Sequence, residues 1–130
     1  ALVIAGSDRR GAAYGLFTLS ELIGVSPWYW WADVPVKKHA ALHVDAPPTY
    51  SQTPSVRYRG IFLNDEDWGL TPWASQTFEP ERGNIGPRTY AKVCELLLRL
   101  KACLLYTSPS SPRPCTPFPP RSTKSPKTSS

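Results

Sequence analysis

Apolar positions along this chain change their period several times, and each change marks an element. Residues 1–5 (ALVIA) form a short unbroken apolar run, which predicts a buried strand. Gly6, Ser7 and Asp8 then supply a turn with N-cap candidates. Over residues 10–23, Ala13, Leu16, Phe17 and Ile23 fall at helical spacing, with Ser20 the polar exception, and Gly24 stands where a C-terminal stop belongs. Residues 25–35 (VSPWYWWADVP) gather three of the chain's five tryptophans. The next stretch, KKHAALHVDA, alternates as a strand does. Residues 47–54 (PPTYSQTP) carry prolines at both ends and read as a linker between 1–48 and 55–102.

Past the linker, Val56, Tyr58 and Gly60 alternate with Arg57, Arg59 and Ile61. Ile61, Phe62 and Leu63 then close the run without a polar residue, the pattern of a strand buried on both faces. Three acids, Asp65, Glu66 and Asp67, follow at once, with Trp68 and Trp73 close behind. Residues 71–87 read as a long polar loop, and Pro87 suits the first position of a helix running to residue 102. Tyr90, Val93, Cys94, Leu97 and Leu100 make that helix's apolar stripe, with Lys92, Glu95 and Arg99 expected outside. From Cys103 onward Pro, Ser, Thr, Lys and Arg dominate, so 103–130 is expected to be a disordered tail.

Strand, acidic turn and helix in that order fit an α/β class, and specifically one βα unit of a barrel whose active site lies at the strands' C-terminal ends. At 130 residues the chain is far shorter than the roughly 250 of a complete barrel. Its opening without Met in an apolar run reads as a piece of a longer protein. The net charge of +5 arises wholly after residue 100, from Lys101, Arg113, Arg121, Lys124 and Lys127 with no acid among them. A basic tail invites a nucleic-acid reading, yet it supplies no groove-reading element, so no nucleic-acid partner is expected. No apolar run approaches the roughly 20 residues of a membrane span, and no membrane role is expected.

Cys94, Cys103 and Cys115 lack paired spacing, which indicates neither a disulfide framework nor a zinc ribbon. His39 and His43 would lie about 13 Å apart on a strand, too far for one metal. GSDRRG lacks the lysine and hydroxyl of a phosphate loop. Thus neither metal nor cofactor is expected. The acids remain, beside tryptophans on which sugar rings could stack, and glycosidic cleavage needs paired carboxylates. A solvated acidic loop is the plain alternative. The Trp-rich segment has two readings as well: packing between layers, which the size of the indoles favours, and a sugar platform, which would make the chain a noncatalytic carbohydrate-binding or interaction module.

The stretches SPWYWWADVPVKK, RGIFLNDEDWG and GPRTYAKVCELLLRLKA resemble glycoside hydrolase family 115, the xylan α-1,2-glucuronidases, over residues 1–102. The resemblance implies that 1–48 ends an N-terminal α/β domain of the hexosaminidase domain 2-like kind, and that 55–102 is the first βα unit of a TIM barrel. It implies inverting removal of glucuronic acid or its 4-O-methyl ether from glucuronoxylan, without cofactor. Inversion pairs an acid with a base carboxylate roughly 6.5–9.5 Å away, and the partner would come from a later strand. Asp65 and Glu66 are the implied catalytic acids, with Asn64, Asp67 and Trp68 binding substrate. Neighbours on an extended strand face opposite ways, so Asp65 and Glu66 share one site only if the turn begins there. The implied parent is secreted or periplasmic, a homodimer is open to it, and the piece alone is expected to be inactive. From Cys103 the chain leaves the family pattern, and LLYTSPSSPRPCTPFPP looks like foreign sequence.

Overall fold

The computed structural model describes residues 2–45, 50–107 and 113–114. Its centre is a β-α-β unit. Strand β1 (Gly60–Leu63) pairs in parallel with β2 (Leu104–Thr107), in the register Gly60 to Leu104 through Leu63 to Thr107. A two-residue strand β3 (Arg113–Pro114) adds antiparallel to β2, giving the order β1-β2-β3. Between β1 and β2 the chain forms α2 (Leu70–Trp73), a π turn (Ala74–Phe78), a 3-10 turn (Pro80–Arg82) and the helix α3 (Pro87–Arg99). Before them lies α1 (Arg9–Leu22).

Side-chain chemistry explains the helix boundaries. Asp8 caps α1, its Oδ1 accepting from the Gly11 N–H at 2.6 Å, and the helix ends just ahead of Gly24, close to the expected 10–23. Helix α3 opens with Pro87, as expected, but its N-cap is Gly86, which has no side chain to offer. Glu79 substitutes from the preceding turn. Its carboxylate accepts from the Arg88 N–H at 3.2 Å, the Thr89 N–H at 2.8 Å and the Thr89 hydroxyl at 2.6 Å, satisfying donors that a helix start leaves open. A Cβ on residue 86 would meet Glu79 Oε1 at 2.5 Å, so this cap needs glycine. Burial pushes the Glu79 carboxyl up, but the hydrogen bonds from Thr89, Arg88 and Gly86 outweigh it and hold the group below its ordinary range.

Val93, Leu97, Ala102 and Leu105 form the core, with Trp31, Leu63, Leu70, Tyr90 and Cys94 packed on it. Helix α3 is buried on more than one stripe, since Leu96 and Leu98 are buried as well. Lys92, Glu95 and Arg99, expected outside, instead face the N-terminal part of the chain. Glu95 bonds Lys92 at 3.1 Å and Arg99 at 2.9 Å, and accepts from the Tyr29 hydroxyl at 3.1 Å. Arg99 also reaches the Ser20 hydroxyl and lies over the Phe17 and Tyr29 rings. Burial opposes charge on Glu95, and the bonds from Lys92, Arg99 and Tyr29 reverse that effect and lower its pKa. The segments on either side of the linker therefore pack together, reinforced by the Tyr14 hydroxyl on the Ala102 carbonyl and the Trp31 Nε1 on the Lys92 carbonyl.

Four expectations need correction. Residues 2–5 and 37–45 are not strands: an apolar or alternating run needs a neighbour to pair with, and among the described residues none lies beside them. Strand β1 is not buried on both faces: Gly60, Ile61 and Phe62 are exposed, Phe62 at 61%, and only Leu63 is partly buried. The stretch 71–87 is no open loop but folds into short helical turns. A disordered tail does not begin at Cys103. Cys103 and Leu105 are buried, and the apolar LLYT run pairs with β1. Residues 108–112 and 115–130, and part of the linker at 46–49, lie outside the described residues.

Candidate functional site

The acidic loop begins directly at the C-terminal end of β1. Two backbone bonds close it: the Leu70 N–H donates to the Asn64 carbonyl and the Gly69 N–H to the Glu66 carbonyl, each at 2.9 Å. Such a tight return leaves no room for a side chain at residue 69, where a Cβ would collide with the Asn64 carbonyl oxygen. The Thr71 hydroxyl donates to the Asp65 carbonyl, tying the loop to the start of α2.

Within this loop the acids have different surroundings. Asp65 is half-buried, and its carboxylate accepts from the Tyr90 hydroxyl of α3. Glu66 and Asp67 are exposed. Glu66 Oε2 accepts from the Trp68 indole N–H at 3.1 Å, and the Trp68 ring itself is 89% exposed. Asn64 is exposed beside them. Asp65 and Glu66 thus diverge, as strand neighbours do. One turns toward α3 and the other toward solvent beside an open indole face. An exposed indole next to a carboxylate can stack on a sugar ring and bond its hydroxyls.

Trp30, Trp31 and Trp73 pack against one another and Phe78, whereas Trp28 is exposed. Trp30 meets Trp31, Trp73 and Phe78 edge-on, at centroid distances of 4.8, 5.8 and 5.0 Å, and Trp73 stacks on Phe78 at 5.6 Å. Edge-to-face contacts of this kind consume the ring faces a sugar platform would present. His39 and His43 are exposed, and among the described residues no three His, Cys, Asp or Glu side chains gather as a metal site. No helix there is long and apolar enough to cross a membrane.

Sequence reasoning missed Tyr90 and Thr71 as parts of this site. Tyr90 sits on the apolar stripe of α3, where its ring announces core packing. The available signal was its hydroxyl, which when buried requires a partner, although nothing in the spacing identified Asp65 as that partner.

The family model for glycosyl hydrolase family 115 matches residues 51–112. Among solved structures, the chain is similar to BtGH115A, a family GH115 4-O-methyl-α-glucuronidase with specificity for decorated arabinogalactans, at 52% identity and a TM-score of 0.69. This chain belongs to glycoside hydrolase family 115. The likeness covers 79% of the chain but only 14% of BtGH115A, so the chain spans about a seventh of that enzyme. No curated protein matches. The family match runs to residue 112, past Cys103 and β2.

Proposed function

We propose that this chain contributes part of the catalytic domain of a family 115 hydrolase, which releases glucuronic acid or its 4-O-methyl ether from a polysaccharide by inverting hydrolysis. The observation that carries the reading is the 52% identity to a 4-O-methyl-α-glucuronidase over 79% of this chain. In this reading β1-α3-β2 opens a barrel, and Asp65 or Glu66 supplies one carboxylate of the inverting pair. Asn64, Asp67 and Trp68 hold the sugar. The second carboxylate comes from outside this chain, as does most of the pocket. Residues 1–48 end an N-terminal α/β domain packed against that barrel.

The substrate class is a uronic acid-bearing polysaccharide. Xylan follows from the motif resemblance, whereas the solved relative acts on decorated arabinogalactans. A full-length family enzyme carrying residues 50–107 of this chain should release the uronic acid from one of these two polymers, with the β-anomer appearing first by NMR. Release from neither, or the α-anomer first, would overturn the reading. The 130-residue chain by itself should release none from either.

A further inference from the structure

Asp65 differs from the other acids of its loop in being held from a distant element, and the partner's placement suggests why. The Tyr90 ring packs on the core beside Val93 and Leu97, so its hydroxyl projects from a helix fixed by burial rather than from a loop. The phenol donates and the Asp65 carboxyl oxygen accepts. The Thr71 hydroxyl holds the same residue's carbonyl. Backbone and side chain of Asp65 are therefore each anchored to a helix, while Glu66 is bonded by Trp68 and Gly69 of its own loop.

We propose that Tyr90 is a positioning residue for the reaction: it fixes the rotamer of Asp65 and, through the closed 64–70 turn, the direction in which Glu66 and Trp68 face the sugar. The proposal rests on the hydrolase reading of this loop. Catalytic groups must be held to within a fraction of an ångström, and a 1 Å misplacement can lower turnover by about 100-fold. Tyr90 acts through Asp65.

The test uses the full-length family enzyme carrying residues 50–107, with Tyr90→Phe, Asp65→Asn and the double variant. Phenylalanine keeps the ring in the core and removes only the donor. Tyr90→Phe should lower kcat for uronic acid release by about 10- to 100-fold, with KM and the melting curve close to those of the parent. The double variant should be no slower than Asp65→Asn alone, because the proposed route from the hydroxyl to the chemistry runs through Asp65. Parental kcat in Tyr90→Phe overturns the proposal. So does a loss that adds in full to that of Asp65→Asn, or one that accompanies a lowered melting temperature and disappears on cooling. If Asp65→Asn loses turnover and Tyr90→Phe does not, positioning fails while the catalytic reading survives; if Asp65→Asn keeps parental turnover, both fail at this residue.

Discussion

On the proposed reading, Trp68 is the residue whose exposed ring stacks on the sugar. A ring 89% exposed beside a carboxylate contributes nothing to the core, so its removal tests recognition with little effect on folding. In the full-length enzyme carrying this segment, Trp68→Ala should weaken saccharide binding by about 1 kcal/mol. The measurement is KM, or direct titration with the polysaccharide. An unchanged KM would place the sugar elsewhere. The acids and this indole were legible in the sequence because they follow an apolar run with only Asn64 between, and a strand that ends in charge has few places to put it. Their division was not legible. Only tertiary placement shows that Asp65 bonds Tyr90, 25 positions away, and that Glu66 points outward.

Elements followed the sequence where local chemistry was sufficient and departed from it where a neighbour decided. Asp8 and Pro87 mark helix starts that local sequence already signals. The runs at 2–5 and 37–45 have strand patterns but no strand beside them among the described residues, and β2 was hidden by the proline-rich composition that follows it. Helix α3 depends on a cap that no spacing rule contains, since Glu79 lies seven residues before its N-cap Gly86. The pKa of Glu79 is lowered on folding, so its contribution is fully present above the unfolded carboxyl value of about 4.3 and is lost as pH falls through the lower folded value. Glu79→Gln should lower the melting temperature by several degrees at neutral pH, with the gap to the parent closing as pH falls below that of the folded carboxyl. A constant gap down to the most acid pH would show that the charge on Glu79 is not what stabilises α3.

As a whole, the molecule joins two segments that the linker separates in sequence. The Lys92–Glu95–Arg99 ladder and Tyr29 join α1 and the Trp-rich turn to α3, and the tryptophan cluster joins that turn to α2 and the π turn. Only the packed structure reveals that seam, since charged residues opposite an apolar stripe ordinarily face water. Strand β2 completes the unit from the other side, pairing with β1 and burying Cys103 and Leu105. A chain ended at residue 102 should therefore lose cooperative unfolding, whereas one ended at 114 keeps it; identical melting curves would make β2 dispensable. The most direct test of the central claim is uronic acid release by the full-length family enzyme carrying residues 50–107, compared among the parent, Asp65→Asn and Glu66→Gln. A fall by orders of magnitude in at least one variant, with the melting curve unchanged, is the predicted result, because a strand-end carboxylate contributes chemistry rather than packing. Parental rates in both amide variants would contradict it.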